Sequence, residues 1–147
     1  MKRLVAAPWD DLQPYLEVVT PKLEIACVYS LGRFEAVDIL EYVKKNYMQM
    51  WLAFEDDELD GFIITQVLDY PRAKELRIMC LVGVGVDGWR KFMERIGGWL
   101  PFVRQVEEWG HSIGCKLSTI ECPSTWELYL KDYDYRRGHV LLHKELE

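Results

Sequence analysis

In the middle of the chain, apolar residues begin to recur at every second position, and this spacing restricts the fold more than any other feature of the sequence. Apolar residues alternate with other residues over 48–54, and two further strand-like segments follow at 62–70 and 76–82. A charged turn at 55–61 and a second turn at 71–72 separate them. Alternation over short segments bounded by turn residues is typical of β-strands. The sequence therefore predicts a three-stranded meander.

Two helices are predicted before this meander. Residues 12–19 and 34–47 carry apolar side chains at spacings of three and four, which is the period of an amphipathic helix. Asp10 or Asp11 is a suitable cap for the first helix. Since proline lacks an amide proton, we expect Pro21 to break or kink that helix.

Both helices and strands are predicted after the meander. Residues 99–113 keep helical spacing up to Gly114, residues 116–122 are strand-like, a short helix begins near Ser124, and 138–146 is a closing strand. With a short first strand at the start of the chain, the predicted order is β-α-α-β-β-β-α-β-α-β. This order is an α/β fold, and 147 residues are the length of one domain, spanning 1–147.

Charge and cysteine usage exclude several classes of function. Eighteen basic residues against twenty-four acidic ones give a net charge of -6, which argues against binding to nucleic acid through bulk charge. Apolar runs are too short for a membrane span. The four cysteines form neither a C-x-x-C pair nor a zinc-like set, so we predict no metal site. We expect a cytoplasmic protein.

Two segments in the second half of the chain carry a family resemblance. Residues 105–122 run from Gln105-Val106-Glu107-Glu108-Trp109 through a Gly114-Cys115 turn into a strand, and Tyr133-Asp134-Tyr135 precedes a tail that ends Lys144-Glu145-Leu146. Together with the order of elements, they resemble the GNAT superfamily of acyl-CoA-dependent N-acyltransferases. Gly88-Trp89 and residues 123–126 are similar to the divergent GNAT-like proteins of tailed bacteriophages.

This resemblance implies a mixed, mostly antiparallel central sheet of about six or seven strands flanked by helices. It also implies acetyl-CoA as co-substrate, with the pantetheine on the fourth strand and the pyrophosphate at the start of the third helix, where free amide protons favour anions. The residues implied to bind it are Leu81, Val82, Gly83, Gly85, Gly88, Arg95, Gly97 and Gly98.

The pyrophosphate motif departs from the family pattern, Q/R-x-x-G-x-G/A, in either register. If Arg95 and Gly98 match the pattern, Leu100 stands where a small residue belongs. If Gly97 matches, Trp99 stands there and Glu94 replaces the basic residue. The glycines of 83–88 are typical of a turn, and they are also compatible with phosphate binding, so both interpretations stay open.

The family resemblance also implies an acid and a base. Tyr129 is the candidate acid for the leaving thiolate, and Glu75 or Glu121 is the candidate base for the amine. The alternatives are a core aromatic for Tyr129 and solvated charges at strand ends for the two glutamates. An acidic turn at 55–60 would attract a cationic acceptor.

Two functions follow from the resemblance. The first is an N-acyltransferase that moves an acetyl group from acetyl-CoA to an amine of a small molecule or protein, with a homodimer left open. The second is a catalytically silent phage protein with a GNAT fold, which serves as a virion component or binds a host protein. The acyltransferase function requires the fourth and fifth strands to separate. It also requires that neither Trp99 nor Leu100 closes the gap between these strands.

Overall fold

A five-stranded sheet lies at the centre of the chain in the computed structural model, which describes residues 1–84 and 96–146. Its strands, in spatial as well as sequence order, are β1 (Lys2–Ala6), β2 (Met48–Glu55), β3 (Glu58–Asp69), β4 (Lys74–Gly83) and β5 (Leu117–Ile120). The first four pair antiparallel, and β5 pairs parallel to β4. The predicted meander is therefore confirmed as β2, β3 and β4.

Five α-helices flank the sheet in the described ranges. They are α1 (Trp9–Leu12), α2 (Leu16–Cys27), α3 (Ala36–Lys44), α4 (Ile96–Ser112) and α5 (Glu127–Leu130). Single 3-10 turns lie at Gln13–Tyr15, Val28–Ser30, Ser124–Trp126 and Lys131–Tyr133. Within the described residues, no helix is both long and apolar enough to cross a bilayer.

The sequence predicts a break or a kink at Pro21, and the structure shows no break there. Helix α2 continues through Pro21 from Leu16 to Cys27. A proline removes the hydrogen bond to the carbonyl four residues earlier. That carbonyl belongs to Glu17, which is exposed at the start of α2, so water can replace the missing donor.

Both faces of the sheet are buried. On one face, Met48, Met50 and Leu52 pack with α1, α2 and α3, and on the other, Trp51 and Ala53 pack with α4. If one face of the sheet were exposed to solvent, every second residue of β2 would be polar and exposed. Instead, β2 buries side chains on both faces, because helices cover both sides of the sheet. Among the described residues, the sheet lies between two core clusters, one on each face.

The prediction of six or seven strands is wrong for the described chain, which has five. The expected closing strand at 138–146 has no strand pairing, although its sequence is rich in strand-forming residues. A strand exists only where its backbone groups find a partner edge, and local propensity does not supply one.

Helix α4 packs tightly on the sheet at Gly61. A β-carbon at Gly61 would lie 2.3 Å from the carbonyl oxygen of Val82 and 2.4 Å from the indole of Trp99. Because both neighbours are rigid, only glycine fits there. Trp99 is fully buried against β3 as a result, and it fixes the start of α4 on the sheet.

We predict that Gly61→Ala lowers the free energy of unfolding by about 1–3 kcal/mol, because the added methyl group overpacks the contact with Trp99 and Val82. Urea unfolding followed by tryptophan fluorescence measures the change. Gly138→Ala is the matched control, since a β-carbon there meets no atom within 4 Å. Equal stability of the two variants would contradict the packing of Trp99 on Gly61.

Candidate active site

Strands β4 and β5 separate after a short stretch of pairing. In the described residues, their parallel register covers only Glu75–Ile78 opposite Leu117–Ile120. The amide proton of Glu121 makes a further hydrogen bond to the carbonyl of Ile78 at 3.3 Å. Strand β4 continues to Gly83 along β3, whereas β5 ends at Ile120. A cleft therefore opens between the last half of β4 and the end of β5.

A β-bulge in β4 lies at the point where this separation begins. Ile64 of β3 lies opposite Cys80, but its neighbour Thr65 lies opposite Ile78, so Met79 is an extra residue with no partner across the ladder. A bulge bends its strand and increases its local twist. The bend at Met79 directs the rest of β4 away from β5.

The hydrogen-bond pattern decides which backbone groups of β4 face the cleft. The amide of Val84 donates to the carbonyl of Asp60 at 2.9 Å. Directly opposed residues alternate between bonded and non-bonded pairs, so Val82 also bonds across to β3. The amide and carbonyl groups of Leu81 and Gly83 therefore point away from β3, towards the cleft. Of the three predicted residues in β4, Leu81 and Gly83 have backbone groups there and Val82 does not.

Apolar side chains close the cleft on its α4 side. The free volume left between them is about 10 Å³, roughly the space of one water molecule. The side chains around it are those of Leu81, Trp99, Leu100, Val103, Ile120, Trp126 and Leu130. Trp99 and Leu100 thus fill the α4 side of the gap, so the requirement that they leave it open is not met on that side. The strands themselves do separate, and the backbone edge of Leu81 and Gly83 lies between them.

The start of α4 contains two of the predicted phosphate-binding residues. Helix α4 begins at Ile96, so Gly97 and Gly98 are in its first turn. A helix of this length carries a partial positive charge at its N-terminus, which favours an anion. The other predicted residues, Gly85, Gly88 and Arg95, lie outside the described residues.

The carboxylates of the two candidate bases, Glu75 and Glu121, both lie near the guanidinium group of Arg77. The carboxylate of Glu75 is buried and accepts hydrogen bonds from Arg77 Nε and Thr119 Oγ1, both at 3.0 Å. The carboxylate of Glu121 is exposed and lies 3.9 Å from the Arg77 guanidinium. Glu75 was expected to be accessible at a strand end, but its carboxylate is held in the sheet, whereas Glu121 lies beside Ile78 where the strands part.

Two tyrosines, Tyr129 and Tyr135, differ in environment: the first is exposed and the second is hydrogen-bonded. Tyr129 on α5 is 43% exposed, next to the buried Leu130. Tyr135 is partly buried, and its hydroxyl shares a hydrogen bond of 2.6 Å with Ser118 of β5. Burial raises the pKa of Tyr135 to about 12. No pattern in the sequence predicts this contact, because two hydroxyl groups 17 residues apart leave no spacing signal.

The cysteines offer little nucleophilic character. Burial raises the pKa of Cys122, and it raises the pKa of Cys80 to about 12, so both are held as neutral thiols. In the part of the chain that the structure describes, no three metal-ligating side chains come together.

We predict that Tyr135→Phe lowers stability at neutral pH by about 1 kcal/mol, because Ser118 loses its partner. Since the pKa of Tyr135 is higher in the folded state, the folded chain holds its proton while the unfolded chain loses it above pH 10. The native chain therefore loses stability relative to the variant between pH 10 and 12, by up to about 1.4 kcal/mol per pH unit.

Urea unfolding from pH 7 to 11.5 measures both effects. The control is Tyr29→Phe, at a tyrosine that is 83% exposed, which should change stability by less than about 0.5 kcal/mol. A stability difference between the native chain and Tyr135→Phe that stays constant with pH would show that Tyr135 is not buried as described.

No protein-family model matches the sequence, and no curated protein matches it either. Solved structures match it over nearly the whole length of both chains. An aminoglycoside acetyltransferase from an uncultured soil metagenomic sample is 15% identical, with a TM-score of 0.68, and the match covers 100% of this chain and 98% of that one. An acetyltransferase of Trypanosoma brucei is 13% identical, with a TM-score of 0.65 over 99% and 100% of the chains.

One of the matching structures is that of a transcriptional regulator and not of an acetyltransferase. A transcriptional regulator from Bacillus halodurans is 16% identical, with a TM-score of 0.64 over 99% of this chain and 100% of that one. At these identities the likeness concerns the fold alone. The chain has the fold of these acetyltransferases and of this regulator.

Proposed function

We propose that the protein is an acyl-CoA-dependent N-acyltransferase that transfers an acetyl group to an amine. One observation carries this proposal: the backbone groups of Leu81 and Gly83 face a cleft where β4 and β5 part. The fold shared with acetyltransferases supports it. An extended molecule with amide groups can bind along such an edge in the way that an added strand does.

In this proposal the pantetheine arm of acetyl-CoA supplies those amides. Its amide groups exchange hydrogen bonds with the backbone of Leu81 and Gly83, while Val82 stays bonded to β3. The pyrophosphate lies against the first turn of α4 at Gly97 and Gly98, with Gly85, Gly88 and Arg95 as its further contacts. An apolar wall formed by the buried Leu81 and the partly buried Ile120 limits the access of water to the thioester side of the cleft.

The proposed chemistry moves two protons. The amine nitrogen forms a bond to the acetyl carbon, the carbon–sulfur bond breaks, and the sulfur leaves as a thiolate. We assign the base that takes the amine proton to Glu121 in preference to Glu75, because Glu75 is already bonded to Arg77 and Thr119. Tyr129 is the proposed donor of the proton to the thiolate.

A second function is favoured by one feature of the cleft. Trp99, Leu100 and Trp126 fill its α4 side and leave only about 10 Å³. Such filling suits a protein that keeps the fold without turnover, such as a phage virion component or a binder of a host protein. Shared fold does not decide between the two functions, since one match is a transcriptional regulator.

We predict that acetyl-CoA stabilises the protein by about 2.7 kcal/mol at a concentration one hundred times its Kd. Gly83→Pro should weaken binding at least about tenfold, because proline removes the amide donor and places its ring in the cleft. Calorimetric titration measures the Kd, and thermal unfolding measures the stabilisation.

Gly83→Ala is the matched variant for this test, since alanine keeps the amide proton. Its binding should remain within about threefold of the native protein, a difference below 1 kcal/mol. Absence of any stabilisation at millimolar acetyl-CoA would leave the non-catalytic function. Equal binding by Gly83→Pro and the native chain would show that the cofactor lies elsewhere.

We predict that Tyr129→Phe lowers kcat by about 10²–10⁴ with little change in KM, because a missing general acid affects only the transition state. The assay follows thiol release from acetyl-CoA in the presence of a panel of basic amines. The control is Tyr29→Phe at an exposed tyrosine distant in sequence. An unchanged kcat in Tyr129→Phe would remove this residue from the mechanism.

A further inference from the structure

The guanidinium of Arg77 lies between two carboxylates and contacts them very differently. Arg77 Nε donates to the Glu75 carboxylate at 3.0 Å, whereas Arg77 Nη1 lies 3.9 Å from Glu121 Oε1. The first distance is that of a charge-assisted hydrogen bond, and the second is too long for a hydrogen bond. Arg77 is therefore paired with Glu75 and exerts only a weaker attraction on Glu121.

The surrounding strands hold Glu75 in this pairing. Its carboxylate is buried, and the oxygen that accepts from Arg77 also accepts from Thr119 Oγ1 at 3.0 Å. Alternate residues of a strand share a face, and Arg77 lies opposite Thr119 in the ladder of β4 and β5. All three side chains thus meet on the face of the sheet opposite α4. Since an unpaired buried charge is costly, the ion pair is maintained by its burial.

Glu121 has the opposite environment. Its side chain is 59% exposed, and the described residues give its carboxylate no hydrogen bond. Arg77 is held on its other side as well, because its Nη2 lies 3.4 Å from the Tyr70 hydroxyl. The charges of Glu75 and Arg77 cancel, so the negative charge of Glu121 stays available where the strands part. Such a charge attracts an ammonium group.

We propose that Glu75 is a positioning residue, which neutralises Arg77 and holds its guanidinium on the sheet so that Glu121 stays free to act as the base. The role of Glu121 rests on the proposed transferase function, whereas the hold of Glu75 on Arg77 does not. Without the charge of Glu75, the arginine pairs with Glu121. An uncompensated cation at that distance makes the carboxylate a weaker base.

Two thiols are the other titratable groups of the described chain that face this cluster. Cys80 of β4 lies near Glu121, and Cys27 of α2 lies near Cys80. Burial raises the pKa of Cys80 to about 12, and burial also raises the pKa of Cys27. Both thiols therefore stay neutral near pH 7. The carboxylates that act on Cys27 from α2 and α3 are Asp38, Glu24 and Glu35.

Glu75→Gln tests the proposal, because glutamine keeps the shape and an acceptor oxygen but removes the charge. We expect kcat/KM to fall at least about tenfold and the acid limb of its pH profile to move down by about one pH unit, since the uncompensated Arg77 favours ionised Glu121. Arg77→Gln in the same chain removes that cation. The double variant should return to within about threefold of the native kcat/KM, with the acid limb restored.

Glu41→Gln is the matched control. The same substitution breaks an exposed ion pair with Lys45 on α3, where the two charged groups are 3.5 Å apart. Its kcat/KM and pH profile should equal those of the native protein. Circular dichroism shows whether each variant is folded. A merely structural role of Glu75 would leave the acid limb in place, so an unshifted limb in folded Glu75→Gln would overturn the proposal, as would a folded double variant without rescue.

Carboxyl footprinting tests the hold on Arg77 without any turnover. A water-soluble carbodiimide couples glycine ethyl ester to accessible carboxylates, and mass spectrometry measures the labelling of each residue. We expect labelling of Glu121 to fall at least about threefold in Glu75→Gln and to recover in the double variant, because a carboxylate paired with arginine is less accessible. The exposed Glu24 is the internal reference.

The footprint separates this proposal from the proposed function. Equal labelling of Glu121 in the native protein and in Glu75→Gln would overturn the hold of Glu75 on Arg77, whatever the activity. A native protein that acetylates no amine would contradict the proposed function, and the labelling of Glu121 would then decide the positioning of Arg77 by itself.

Discussion

The geometry of the candidate site depends on one extra residue in the fourth strand. Met79 has no partner on β3, and the bulge that it forms lies directly after the four residues at which β4 pairs with β5. A regular β4 would keep its direction and could pair with β5 over its whole length. Since the bulge bends β4 away, Leu81 and Gly83 present backbone groups to a cleft.

Packing on the α4 side holds this arrangement. Trp99 is buried against Gly61 and anchors the start of α4 over β3, next to the open end of β4. The same residue, with Leu100 and Trp126, fills the space beneath the cleft. A single contact therefore positions a helix N-terminus, which favours an anion, close to a free strand edge. It also limits the space that a ligand can enter from the α4 side.

Part of the site was predictable from the sequence, and the reasons differ from residue to residue. Alternation located β4, and the family resemblance then implied Leu81 and Gly83 on that strand as candidate pantetheine contacts. The different environments of Glu75 and Glu121 were not predictable, since they arise from Arg77 and Thr119, which approach from two strands. The contact between Tyr135 and Ser118 likewise joins residues that no local pattern links.

By itself, the sequence determined the elements: the period-two segments became β2, β3 and β4, and the amphipathic segments became α3 and α4. These outcomes are local, because side-chain spacing decides which backbone conformation can bury an apolar face. Only the tertiary structure decided that Pro21 stays within α2, that Met79 bulges and that residues 138–146 form no strand within the chain. Each of these depends on whether a backbone group meets a partner or water, and that is settled by residues distant in sequence.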